Sequence, residues 1–234
     1  MTFISPQDWN NIAKFIPRVR SINNFGDKLH KGAGVIDSRT INELYLRLVS
    51  HSRDPCKIVV KGEEPETLLT GNIPDLNQIN GVQRMMALDL MSYLPDDILV
   101  KLDRASMGVS LESRVPFLDH RIVEFAWRLP LSMKIQDGQS KWLLRQMLYK
   151  YVPKNIIDRP KMGFGVPIDS WLRGPLRDWT ESLLDETRLN QEGYFHPSPI
   201  RKLWKAHLSG HHNLQHSLWN VLMFQAWLEQ ESFN

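Results

Sequence analysis

Residues 93–120 read YLPDDILVKLDRASMGVSLESRVPFLDH, and residues 159–165 read RPKMGFG. If Asp96 to Val109 is helical, Asp97, Lys101 and Arg104 fall at i, i+4 and i+7, with Asp103, Ser106 and Ser110 as a second polar line beside them. Two polar lines leave little apolar surface. Such a helix either faces solvent, with an ordinary Asp97–Lys101 pair, or lines a site for a charged ligand. Glu112 and Arg114 then lead into Val115-Pro116-Phe117-Leu118, an apolar turn expected to be partly buried, where charges need partners. They either pair with Arg121 or Asp119 and lock the turn, or hold an ammonium and an anionic group of a ligand.

In the second stretch Gly163 and Gly165 permit close backbone approach and unusual φ angles, Pro160 and Pro167 bracket the loop, and Lys161 sets an ammonium beside it. This suits phosphate contact. The spacing nevertheless matches neither G-x-x-x-x-G-K-[ST] nor G-x-G-x-x-G, and helix connections also contain paired glycines.

Outward from these stretches the periodicity is helical. Ala87, Leu90, Met91 and Leu94 fall at i, i+3, i+4 and i+7, as do Ile122, Phe125, Ala126 and Leu129, and then Leu144, Met147, Leu148 and Tyr151. Each apolar stripe needs a neighbour to cover it. Asp119 and Ser140 are candidate N-caps, Pro6, Pro130 and Pro153 mark boundaries, and a last helix is expected over about Leu214 to Glu229. No strand alternation stands out, so the fold class read from pattern is mostly α. Residues 55–80 lack a sustained period and read as a long connection between an N-terminal helical piece, 1–54, and a helical body, 81–234.

The balance of 29 basic and 26 acidic residues leaves a net charge of +3 on 234 residues, a small excess that does not imply nucleic acid. An apolar content of 42% is enough for a sizeable core. The single cysteine, Cys56, excludes an internal disulfide framework and a thiolate metal cluster. With no membrane-length apolar run and no leader pattern at MTFISPQDWN, the expected location is the cytoplasm, away from any membrane. His207, His211, His212 and His216 include two i, i+4 pairs, but no acidic or cysteine residue stands nearby, so a solvated face is expected and no metal ligand is assigned. Trp127, Trp142, Trp219 and Trp227 fall in or beside apolar stripes and are expected in the core.

The strings DDILVKLDRASMGVSLESRVPFLDHRIVEFAWRLP, KWLLRQML and RPKMGFGVPIDSWLRGPL closely resemble the C-terminal synthetase domain of glutamine-hydrolysing asparagine synthetases. The resemblance extends through essentially the whole chain. It implies the helical C-terminal portion of an α/β, adenine-nucleotide α-hydrolase-like synthetase domain, without its nucleotide-binding sheet. It implies ATP and Mg2+, aspartate and ammonia as substrates, and an aspartyl adenylate from which ammonia displaces AMP. Related members amidate other carboxylates in polysaccharide and antibiotic pathways. By the same resemblance Lys161 contacts phosphates and supports adenylation, Glu112 is a further catalytic candidate, and Asp103, Arg104, Arg114, Gly163 and Gly165 shape or line the site.

The departures from the family are large. Its full members begin with a cysteine nucleophile, whereas these residues begin Met1-Thr2-Phe3, so glutamine hydrolysis is not expected of them. Its pyrophosphate loop, S-G-G-x-D-S, and its acidic G-G-D-E-L-F-like segment have no counterpart here. The expectation is therefore a C-terminal fragment of a synthetase, inactive alone, that either completes its site against a second chain or is the remnant of a truncated gene, with a non-catalytic helical interaction module as the alternative. An uncovered face rich in apolar residues would favour the first, and a polar one the second.

Overall fold

A computed structural model describes residues 4–19, 25–52, 54–71, 73–159, 165–210 and 212–231. The chain divides into two compact units, one of residues 1–75 with 166–234 and one of residues 76–165. Helices dominate both, as the periodicity predicts.

In the first unit, Ser5 caps α1 (Pro6–Ala13) by accepting the N–H of Asp8, with Pro6 at the first position, where its missing donor costs nothing. Helix α2 (Phe25–Ala33) crosses α1 so closely at Gly26 that a Cβ there would overlap the carbonyl oxygen of Pro6. Glycine is therefore required. Helix α3 (Ile41–Val49) starts at Thr40, whose hydroxyl accepts from the N–H of Glu43. Residues 55–60 then wrap onto the distant half of the unit: after a one-turn 3-10 helix, Val59 bridges Phe195, Val60 donates to Tyr194 O at 2.9 Å, and His196 donates to Ile58 O at 2.8 Å.

The core of this unit comes from its later helices, α10 (Ile168–Arg173), α11 (Arg177–Leu183), α12 (Glu186–Glu192), α13 (Pro197–Leu208) and α14 (Gln215–Glu231). Leu172, Leu183, Leu184, Leu189, Ile200, Trp204, Leu218 and Leu222 are fully buried there. Each such side chain is worth about 1.5–3 kcal/mol of transfer free energy. Trp204 is the fully buried tryptophan; of the four expected in the core, Trp127, Trp142 and Trp219 are half-buried and Trp227 is exposed. Trp204 Nε1 finds its acceptor in Glu181, which also takes Arg201. Burial pushes the Glu181 carboxyl up, but these two hydrogen bonds outweigh it and hold the group below its ordinary value.

In the second unit Asn80 caps α4 (Gly81–Leu88) by accepting from the N–H of Gln83, and the helix passes into a π-helical stretch, Asp89–Leu99, before α5 (Val100–Met107). The predicted α-helix from Asp96 thus begins in the wider form, around Pro95, whose ring and missing N–H are incompatible with a regular α-turn. Asp119 caps α6 (His120–Arg128) as expected, accepting from Arg121 N–H at 2.9 Å. Beyond it lie α7 (Leu131–Lys134), a hairpin of β1 (Ile135–Gln136) and β2 (Gln139–Ser140), α8 (Trp142–Leu148) and α9 (Lys154–Ile157). The hairpin turns through Asp137 at φ 50° and Gly138 at φ 74°, the left-handed pair of a tight two-residue loop. Ser140 lies in β2 instead of capping α8, a position taken by left-handed Lys141.

Burial differs sharply between the units. In the second, Ala87, Leu88 and Ser92 are buried, whereas Ile122, Phe125, Leu144, Met147, Leu148 and Tyr151 are exposed, Tyr151 by 82%. The stripes on α6 and α8 exist as the sequence predicts, but nothing among the described residues of this unit covers them. Among the described residues the sheet is two-stranded, and no helix is long and apolar enough to cross a membrane.

Candidate functional site

The polar helix and the turn that follows it meet in a cleft of about 540 Å3 in the second unit. Leu99, Leu102 and Asp103 form one wall, and residues 113–116 with Leu118 and Asp119 form the other. Their chemistry is mixed: Asp103 and Asp119 bring carboxylates, Arg114 a guanidinium, and Leu99, Leu102, Val115 and Pro116 apolar surface. An amphoteric molecule with a short apolar stem fits such a wall set.

The ion pairs around the cleft are local. Arg114 pairs with Glu112 at 2.5 Å and Arg121 pairs with Asp119 at 2.8 Å, so the anticipated exchange of partners between the two segments does not occur. Glu112 and Arg114 are also exposed, 68% and 85% at their side chains, which corrects the expectation that the turn buries them. Two charged neighbours in solvent satisfy each other without a built pocket. The two hydrogen bonds from Arg121, with the backbone N–H groups of Arg121 and Ile122, hold the Asp119 carboxyl below its ordinary value, so it stays ionised.

Asp97 and Lys101 form the predicted pair at 2.7 Å, and the hydrogen bond that the Lys101 ammonium donates to Asp97 raises its pKa above the ordinary value. Asp103 reaches the cleft, whereas Arg104, on the same helix and exposed, is not in its lining. Glu112 stands at its edge through Arg114. Lys161 and Gly163 lie outside the described residues. Gly165 is exposed, outside the left-handed region of φ, and a Cβ on it would meet no atom within 4 Å, so at this position nothing demands glycine.

Ser113 and Asp119 line the cleft without having been singled out as site residues, Asp119 having been read as a cap and a structural partner. The signal for both was the short V-P-F-L turn, which folds the chain back on Leu99 and Leu102. Sequence reasoning also missed a polar group in the first unit. His207, expected on a solvated face, is fully buried. Its Nδ1 accepts the N–H of Leu214 at 3.2 Å, and its ring lies parallel to that of Trp204. Arg173 closes the group, binding Asp169 at 2.5 Å and the carbonyl of His207 at 2.9 Å. Burial and the Arg173 charge hold His207 below its ordinary pKa, against the opposing pull of Asp169. His211 lies outside the described residues.

Comparison with known proteins places these features in a family. The sequence model for asparagine synthase matches residues 4–229. The chain is 32% identical over 146 residues to the glutamine-hydrolysing asparagine synthetase 1 of Bacillus subtilis, a match covering 62% of this chain and 23% of that protein. It is 34% identical over 205 residues to a Mycobacterium bovis protein provisionally named as a glutamine-hydrolysing asparagine synthetase, covering 85% of this chain and 30% of that one. A rat asparagine synthetase is 33% identical over 141 residues, 49% of this chain and 25% of the rat protein. The chain thus spans less than a third of the length of these relatives. No solved structure matches it.

Proposed function

The chain belongs to the asparagine synthase family, and on that premise we propose that its 234 residues are the helical latter portion of a synthetase domain of adenine-nucleotide α-hydrolase-like fold. The reaction is ATP-dependent amidation of aspartate. The side-chain carboxylate of aspartate attacks the α-phosphorus of ATP, pyrophosphate leaves, and ammonia then attacks the acyl carbon and displaces AMP. The family name carries asparagine biosynthesis; the adenylate route and the roles below are the finer part of the proposal.

The first step builds negative charge on a pentacovalent phosphorus, and Lys161 supplies the cation that stabilises it more than the ground state. Asp103 and Arg114, on opposite walls of the cleft, suit the ammonium and carboxylate of an amino acid. Glu112, exposed and held by Arg114, is available to take a proton when ammonia attacks. Arg104, Gly163 and Gly165 complete the residues assigned to shaping the site. ATP use implies Mg2+, but among the described residues no three His, Cys, Asp or Glu side chains are grouped to hold a metal. The described residues therefore offer it no complete donor set, and it is given no ligands here.

The observation that carries the reading beyond the family name is the uncovered surface of the second unit. Ile122 and Phe125 on α6, with Leu144, Met147 and Leu148 on α8, form stripes that water-facing helices do not keep. A module acting alone would have polar residues there. The apolar stripes support a covering element from outside this unit, and we propose that it carries the S-G-G-x-D-S loop, in the same polypeptide or on a second chain.

The test is aspartate- and ammonia-dependent release of pyrophosphate from Mg-ATP, by these residues alone and together with the half that bears the loop. Turnover in the combination and not with either part supports the proposal. Silence in the combination transfers the weight to a non-catalytic module, and turnover with another carboxylate but not aspartate corrects the substrate.

A further inference from the structure

Away from the cleft, basic titratable groups gather in the first unit. His30 and Lys31 lie near the end of α2, His51 follows α3, and His212 and His216 flank the start of α14. The rings of His51 and His216 stack with centroids 5.0 Å apart and planes inclined by 27°. Those of His30 and His212 meet at 5.8 Å, tilted by 57°. Ser217 donates to the carbonyl of His51 at 2.6 Å, which fixes the turn after α3 against α14.

One contact fixes the protonation state that this arrangement requires. The Gln215 side chain accepts the N–H of Asp169 through Oε1 at 2.7 Å, so its amide nitrogen is the end that faces His216, 3.2 Å from Nε2. An amide N–H can only donate, so the Nε2 of His216 must keep its lone pair. Protonation there sets donor against donor and at the same time places a cation beside the His51 ring and Lys31.

We propose that His216 is an acid-sensitive clasp: with a neutral ring it holds the turn at His51 against the start of α14, and on protonation it releases that turn. The charged groups around it agree in sign. Partial desolvation, His51 and Lys31 all hold the basicity of this solvent-exposed residue below the ordinary value. From α10, Arg173 reaches the carbonyl of His212 at 3.4 Å, and the Asp169 carboxylate is already engaged by Arg173. The inference does not depend on the proposed synthetase activity.

Amide hydrogen exchange on the 234-residue chain tests it. Protection of residues 49–52 is expected to fall about tenfold from about pH 7.5 to about pH 5.5. His216→Gln, which cannot be protonated in this range, should flatten that response, while His207→Gln leaves it in place. An unaltered response in His216→Gln, no response in the parent chain, or a response abolished by His207→Gln would each overturn the proposal. A ring-proton titration of the unsubstituted chain decides independently of any variant: His216 and the amides of residues 49–52 must titrate together, and separate midpoints count against the clasp.

Discussion

The Nε2 atom of His207 stands 3.7 Å from Asp169 Oδ1, too far for a hydrogen bond, while the Nδ1 of the same ring accepts the N–H of Leu214. A fully buried imidazole is thus kept neutral with one nitrogen committed to the backbone. Its basicity is lowered by burial and by Arg173. The folded form therefore binds fewer protons than the unfolded chain, so this contribution to stability is fully present above about pH 6.5 and is lost as pH falls below it. The melting temperature of the first unit should drop between about pH 7.5 and about pH 5.5, with a shallower drop in His207→Gln. An equally steep drop in the variant removes His207 as the source.

Burial separates two kinds of apolar substitution. Leu222→Ala, in the core of the first unit, should cost about 2–5 kcal/mol in denaturant unfolding. Phe125→Ser, on the uncovered face of α6, should stay within about 0.5 kcal/mol while raising solubility of the isolated chain. A large stability loss at Phe125 would mean that the face is covered within these residues.

The exposed Glu112–Arg114 pair makes Glu112 a clean probe of function. Glu112→Gln should change unfolding free energy by less than about 1 kcal/mol, the range of solvent-exposed pairs. Lost turnover in the reassembled enzyme with stability kept would place Glu112 in the reaction, and a marked destabilisation would return it to a structural role.

For Lys161 the proposal requires a loss confined to chemistry. In the reassembled enzyme Lys161→Ala should slow adenylate formation by about a hundredfold or more, with the melting temperature unchanged. Pyrophosphate release at the parent rate would remove Lys161 from the mechanism.

Much of the helical plan was legible from residue spacing, and its burial was not. The stripe Leu144, Met147, Leu148 and Tyr151 marks a helix and the face that seeks cover, yet periodicity carries no information on whether the cover lies within the same residues. The hairpin escaped because its strands, two residues each, are too short to show alternation, although Asp137-Gly138 is a strong turn signal. The π-helical stretch escaped because Leu90, Met91 and Leu94 were fitted to the commoner 3.6-residue period, although Pro95 inside the run marks a break in a regular α-helix. His207 was misread for a different reason: its partners Asp169 and Arg173 belong to α10, far back in sequence, so its neighbours in the chain gave no hint of burial. At the candidate site, Asp103 and Arg114 were named from charge pattern and do share the cleft, while Ser113 entered through the fold of the turn.

The bridge between Val59 and Phe195 also sets an order on biosynthesis. As the polypeptide leaves a ribosome, Ile58 and Val60 emerge early, but the backbone groups they pair with belong to Tyr194 and His196. All of residues 76–165 must be translated in between. The nascent chain therefore passes through a stage in which its early apolar segment waits unpaired while the second unit appears with its own uncovered stripes. Such a stage invites chaperone binding, and slowing translation would lengthen it without changing the finished fold.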